Sequence, residues 1–275
     1  MSFHTIIEPG RTEKNYWRDI WRYRELFYIL SWRDIKVRYK QTTLGILWAI
    51  IRPLLAMLVF TYIFGTVAGM KHNSTVPYAI IVFAGLLPWQ FFANSLTESS
   101  NSLIGSEKLI TKVYFPRMII PASSVITSFI DFFISLVILL GLFVFYQYTP
   151  PAKIFLMPLF WCMAFVASIG PGLYLTAMNV KYRDFRYLIP FIVQFGLFIS
   201  PVGFDSAAIP AKWQWLYSIN PMVGVIDGFR WCIVQDAANP MLKYPFYISL
   251  GTGLLFVWLA VHQFRKMEKN FADLV

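Results

Sequence analysis

The chain is predicted to be an all-α polytopic membrane protein with six transmembrane helices, and three observations carry that prediction. Of its 275 residues, 57% are hydrophobic and only 14% charged, with a mean hydropathy of +0.56, a composition that excludes an ordinary soluble domain. Apolar runs recur at the length a bilayer demands, since a hydrocarbon core of roughly 30 Å takes about 20 helical residues. Lysine and arginine are divided unequally among the segments between those runs, as the positive-inside rule requires of a multi-pass protein.

Residues 1–43 form the first region, a cytoplasmic N-terminal segment. It lacks an apolar core followed by a small-residue cleavage site, so the first span is expected to be retained. Trp17, Ile20, Trp21, Arg24, Phe27, Tyr28 and Ser31 recur at helical spacing, which predicts an amphipathic helix lying in the membrane interface. A plain positive-inside anchor would look the same. Residues 44–263 form the membrane domain. Its spans are read at 46–69, 78–97, 119–147, 154–178, 187–204 and 245–263, and residues 264–275 form a cytoplasmic tail.

Two connections are longer than a turn. The segment 98–118 reads as a short helix, Leu103 to Val113, ended before Pro116, because proline removes a donor and clashes with the preceding turn. Its polar face carries Glu107, Lys108 and Lys112, which suits docking on a soluble subunit as well as a solvated loop. The run Met222 to Val234 is too short to span and contains Asp227 and Arg230. Residues 205–236 are therefore read as outer helices that enter the membrane and return, which backbone at that depth tolerates only against protein or a watery cavity. In the tight connection 179–186, Asp184 is expected to pair with Arg183 or Arg186.

Sidedness follows from the cations. Eighteen lie before the first span, in segments 98–118 and 179–186, and in the tail; five (Lys71, Lys153, Lys212, Arg230, Lys243) lie in the alternate segments. Both termini are thus placed in the cytoplasm, with an even number of crossings. The remaining cation, Arg52, stands inside the first span, close enough to its cytoplasmic end to snorkel toward phosphates. Asp131 stands near the middle of the third span. Each is costly alone in lipid, which suggests that the two pair.

Catalytic chemistry is not legible. The sequence has no G-x-x-x-x-G-K-[ST] loop and no H-E-x-x-H, its three histidines are scattered, and its acidic residues are dispersed, so neither nucleotide hydrolysis nor a metal site is read. Cys162 and Cys232 give no disulfide framework.

The blocks WRDIKVRYKQTTLGILWAIIRPLLAMLVFTYIFG (32–65), FAGLLPWQFF (83–92), NSLIGSEKLITKVYFPRMIIP (101–121), NVKYRDFRYLIPFIVQFGLFISPV (179–202) and LYSINPMVGVIDGFRW (216–231) together resemble the membrane subunit of bacterial ABC-2 type polysaccharide exporters. The resemblance implies a non-enzymatic permease in the bacterial inner membrane. It would form a homodimer and pair with two copies of an ATP-binding subunit that holds the ATP and magnesium. Its cargo would be an undecaprenyl-diphosphate-linked glycan, O-antigen first, with capsule or teichoic acid polymers and small lipids or drugs as alternatives. The rival from another class is a membrane-embedded polyprenyl or glycosyl transferase, which would need an acidic metal site. No nucleic acid partner is expected.

By region, the resemblance assigns ATPase coupling to Ser102, Leu103, Ile104, Glu107, Lys108 and Lys112, and an interface helix to Tyr16–Ser31. It places Arg33, Lys36, Arg38 and Lys40 where a lipid diphosphate would meet the boundary; Arg24 and Arg52 join them as interface cations, able to make charge-assisted hydrogen bonds. A moving sugar chain favours weak, repeated contacts with aromatic faces. The candidates are Phe60, Tyr62, Trp89, Phe91, Phe92 and Tyr174, with Trp213, Trp215 and Tyr217 at the outer mouth.

Overall fold

The structure, a computed structural model, describes residues 16–40, 45–69, 76–235 and 237–271. Among these residues there is no strand, and five helices are long and apolar enough to cross a membrane. The N-terminal pair, α1 (Tyr16–Arg22) and α2 (Arg24–Lys40), is followed by α3 (Gly45–Phe60), whose last turns widen to π-helix at Thr61–Val67. Next come α4 (Tyr78–Gly105), the short α5 (Glu107–Lys112), α6 (Ile119–Phe145) and α7 (Met157–Lys181). The chain closes with α8 (Phe185–Ile199), α9 (Ala211–Tyr217), α10 (Pro221–Ile233) and α11 (Tyr244–Met267).

Five of the expected spans correspond to α3, α4, α6, α7 and α11. The one expected at 187–204 is represented by α8, fifteen residues ended by Ser200 before Pro201, or about 22 Å at 1.5 Å per residue. Helix α4 outruns its predicted end because Ser99, Ser100 and Leu103 are buried against neighbours there, so the helix stays useful beyond the apolar run. As a result Ser102, Leu103 and Ile104 belong to α4, and the expected helix 103–113 is two pieces that meet at Ser106.

α4 is the axis of the bundle. It packs on α6, α7, α10 and α3, and its seam with α7 is built from small and hydroxyl residues. Thr176 donates to the Ser99 carbonyl at 2.8 Å, Asn179 donates to the Ser100 carbonyl at 2.9 Å, and a Cβ on Gly172 would sit 2.5 Å from Ser99 Oγ. In a lipid-soluble bundle water expulsion adds little to helix pairing, so close backbone approach and such hydrogen bonds do the holding.

α10 is buried along its whole length among α4, α7 and α11 despite Asp227 and Arg230. Arg230 donates to the carbonyls of Val202 (2.7 Å) and Phe204, and Ser206 donates to Asp227 at 2.6 Å. The two charges that argue against a span thus tie α10 to the segment following α8. The expected pairing of Asp184 with Arg183 or Arg186 is not formed. Asp184 instead occupies the N-cap position of α8, where a negative charge meets the positive end of the helix dipole.

The bundle has a basic end. There the C-termini of α4, α7 and α11 and the N-terminus of α6 gather around Leu103, Ile119, Val180 and Phe264, with Tyr16 of α1 and Leu30 of α2 closing the cluster. The inward stripe of the N-terminal helices is Tyr16, Ile20, Tyr23, Phe27 and Leu30. Of the predicted interface face, Trp17, Trp21 and Tyr28 stay exposed, while Ile20 and Phe27 pack inward. Apolar and charged residues alternate around α2 too evenly to mark one face, and packing on the core selects which side turns in.

Candidate functional site at the basic end

α4 presents Gln90, Asn94 and Glu98 four residues apart, one polar stripe on an otherwise enclosed helix. Opposite it α6 presents Asp131 and Ser135, again on one face. The C-terminal turn of α2 reaches into this gap. Arg38 Nη2 lies 2.6 Å from Asp131 Oδ2 and Arg38 Nη1 lies 3.0 Å from Glu98 Oε1, while the Tyr39 hydroxyl donates to Asp131 and Asn94 Nδ2 donates to it at 3.2 Å. The Asp131 carboxylate therefore accepts from three side chains. Burial, reinforced by that carboxylate, pushes the Tyr39 hydroxyl far above the ordinary tyrosine value, so it remains a donor at any physiological pH.

Arg38, Tyr39, Gln90, Asn94, Asp131 and Ser135 line a cavity of about 300 Å³ whose remaining wall is α3. Arg52 enters it from α3, its guanidinium 5.8 Å from the centroid of the Trp48 ring. The pairing expected between Arg52 and Asp131 is thus corrected. Asp131 is taken by Arg38, which α2 delivers to it, and Arg52 shares the cavity without forming an ion pair within 4 Å among the described residues. Arg38 is held by Asp131 and Glu98, which leaves Arg52 as the guanidinium of the cavity with no ion pair within 4 Å among the described residues, in a hydrogen-bonding recess beside apolar helices.

The six predicted interface cations do not form one cluster. Arg38 and Arg52 line the cavity; Arg33, Lys36 and Lys40 lie on the outer face of α2 with Trp32 and Val37; Arg24 stands over the Trp21 ring at 5.9 Å. Arg33 is further held by Asp34 at 2.8 Å, and Lys36 sits 5.3 Å from the Trp32 ring centroid.

The coupling candidates divide similarly. Leu103 is buried, Ser102 donates to the Ser99 carbonyl at 2.6 Å and Ile104 packs on the basic-end core, while Glu107, Lys108 and Lys112 are exposed on α5.

Of the aromatic candidates, Trp89, Phe91 and Phe92 are packed inside the protein, Trp89 against Gly196 and Phe91 against Phe132 and Trp161. Phe60 is buried between Phe64 and Phe198. Tyr62, Tyr174, Trp213 and Trp215 are exposed, and Tyr217 donates to the Ile199 carbonyl at 2.9 Å. Sequence reasoning missed Gln90, Asn94, Tyr39 and Trp48. The spacing of Gln90, Asn94 and Glu98 was the available signal, an i, i+4, i+8 polar row in an apolar span.

No group of histidine, cysteine or acidic residues able to hold a metal occurs among the described residues. An all-helical bundle with five span-length helices, an electropositive end and a polar recess there defines a multi-pass membrane protein of the transport kind. Residues 25–234 match the family described as ABC-2 type transporter, and the chain belongs to that family, as a transporter membrane domain. It is 30% identical over 255 residues to an O-antigen export system permease protein of Klebsiella pneumoniae, covering 91% of this chain and 95% of that protein. Similarity to the permease of the same description from Myxococcus xanthus is 28% over 259 residues, covering 93% and 97%. A polysialic acid transport protein of Escherichia coli is 24% identical over 236 residues, covering 85% and 91%.

Proposed function

We propose that this chain is the permease subunit of an ATP-driven polysaccharide exporter, moving an undecaprenyl-diphosphate-linked glycan of the O-antigen class across the bacterial inner membrane. The observation that carries the reading is the near full-length similarity to O-antigen export permeases. Capsule-type cargo is the second reading, supported by the weaker similarity to the polysialic acid transport protein. The working unit is a homodimer with two copies of an ATP-binding subunit, which supplies ATP and magnesium.

The basic end of the bundle faces the cytoplasm, with both termini, because membrane insertion retains lysine and arginine there. With α8 as the sixth crossing the count is even, and α9 and α10 enter from the outer side. A diphosphate approaching from the cytoplasmic leaflet first meets Arg33, Lys36 and Lys40 on α2, then Arg52 in the cavity. Guanidinium groups suit it because they give paired, charge-assisted hydrogen bonds. Arg38, already shared by Asp131 and Glu98, acts as the clamp that holds α2 on the bundle. Nucleotide-driven closure of the partner subunits pulls on α5 and α2 and parts the dimer axis. The polymer then passes exposed aromatics such as Tyr62, Tyr174, Trp213 and Trp215.

Two results test this. Reconstituted with the cognate ATPase and lipid-linked glycan, the wild-type protein should transfer glycan in an ATP-dependent way, whereas Arg52→Glu should lower transfer at least about tenfold, the loss of one charged hydrogen-bonding contact of roughly 1.5–3 kcal/mol, with basal ATPase activity retained. Unchanged transfer would remove Arg52 from the path. At α5, Glu107→Lys together with Lys108→Glu should cut glycan-stimulated ATPase activity several-fold; full stimulation would place the coupling surface elsewhere.

A further inference from the structure

A second basic recess lies between α1 and the part of α11 from Leu254 onward. It is an open groove of about 820 Å³. Residues at helical spacing along α11 form its floor, changing from apolar to cationic along the way: Leu254 and Trp258, then Arg265 and Lys266, with Lys269 in the 3-10 turn that follows. From Leu254 to Lys269 the helix advances about 22 Å, more than half the thickness of the hydrocarbon core. The apolar part is therefore continuous with the lipid-facing side of α11, where Leu255 and Leu259 are exposed, while the cationic part reaches the level of the basic-end core beside Phe264.

Arg265 and Lys266 give the groove its positive charge. The Arg265 guanidinium lies 4.8 Å from the centroid of the Tyr16 ring of α1, and Lys266 is exposed. Among the described residues no acidic side chain lines the groove. The nearest carboxylate in sequence, Glu268, accepts from the Arg117 backbone N–H at 2.6 Å and also interacts electrostatically with Arg265, which leaves Lys266 as the exposed cation of the pair. Two tryptophans mark the transition. Trp258 stacks on His262 with ring centroids 6.2 Å apart, and Trp17 of α1 forms the facing wall. Indole rings settle at the headgroup level of a bilayer, and basic recesses between helices at that level take anionic lipid headgroups.

We propose that this groove is a binding site for an anionic phospholipid, with an acyl chain along Leu254 and Trp258 and the phosphate on Arg265 and Lys266. A soluble protein partner does not fit the observations, because the Leu254 half of the groove lies at membrane depth. Since α1 supplies Trp17 and Tyr16, a bound lipid bridges α1 to α11 and sets how firmly the N-terminal helices rest on the bundle. The site is separate from the Arg52 cavity and independent of the cargo reading.

The test is lipid retention by the purified permease with its ATPase partner, measured by native mass spectrometry after titration with phosphatidylglycerol or phosphatidylethanolamine. Wild-type protein should hold one phosphatidylglycerol about tenfold more tightly than phosphatidylethanolamine. Lys266→Glu should weaken phosphatidylglycerol about fivefold or more, in line with the contribution of one surface cation, Lys266→Arg should restore it, and Trp258→Ala should weaken both lipids. Lys212→Glu, a charge change on α9, should leave retention unchanged. Equal binding of the two lipids, indifference to Lys266→Glu, equal loss with Lys212→Glu, displacement by inorganic phosphate alone, or exclusion of lipid by the ATPase partner would each overturn the proposal.

Discussion

Asp131→Leu should detach the N-terminal helices from the bundle and abolish export. The carboxylate accepts from Arg38, Tyr39 and Asn94, so its removal strands three donors at once. Losing one partner of a fully buried pair costs roughly 3–5 kcal/mol. Here the side chains are 14% and 27% exposed for Asp131 and Arg38, and solvent reduces the expected loss to about 2–3 kcal/mol. Thermal unfolding of the detergent-purified protein measures it, with protease sensitivity near Lys40 as the local readout. Asp131→Asn should lose less, because its carbonyl still accepts from Tyr39. The partner is identified by charge exchange: Arg38→Asp with Asp131→Arg should recover part of the stability, whereas Arg52→Asp with Asp131→Arg should recover none. The reverse pattern would reject the Arg38 clamp.

Gly170→Ala should force α7 and α11 apart. A Cβ at this position would lie 2.8 Å from Val257 N and 2.9 Å from Phe256 C. Both are backbone atoms of α11, so no rotamer change relieves the overlap and the helices themselves must move. Overpacking of this kind costs about 1–3 kcal/mol, and the upper end is expected because α7 and α11 share one of the largest interfaces of the fold. Gly251→Ala serves as the contrast. Nothing lies within 4 Å of its Cβ position, so it should be neutral or gain up to about 1 kcal/mol of helix propensity. A melting temperature lowered equally by both changes would mean that the crossing is not governed by Gly170.

Helix class, the positions of five spans and the concentration of cations at one end were legible in the sequence because each is a one-dimensional property. A span is a run of apolar residues of fixed length, and sidedness is a count of charges between runs. The partner of Asp131 is of another kind. Arg52 was the expected partner because both charges sit inside predicted spans, but α2 continues to Lys40 and brings Arg38 to the carboxylate. That depends on how three helices converge, not on any spacing along the chain. The inward stripe of α1 and α2 was not legible for the same reason. Aromatic and charged residues surround these helices almost evenly, so only the packing of Leu103, Phe264 and their neighbours selects Tyr16 and Leu30 over Trp17 and Trp21.

α10 shows the division most clearly. Its short length and its Asp227 and Arg230 excluded it as a span, an inference that used only the length a bilayer demands and the cost of charge in lipid. Its burial among α4, α7 and α11 was settled in three dimensions, where carbonyls of Val202 and Phe204 and the hydroxyl of Ser206 meet those charges. By itself the sequence determined that this protein belongs in a membrane, where five of its long apolar helices lie and which end is basic, since hydrophobic transfer and charge act residue by residue. Only the tertiary structure decided which cations are neutralised and which are left facing a recess, because an ion pair or a cavity exists only once distant helices are brought within a few ångströms.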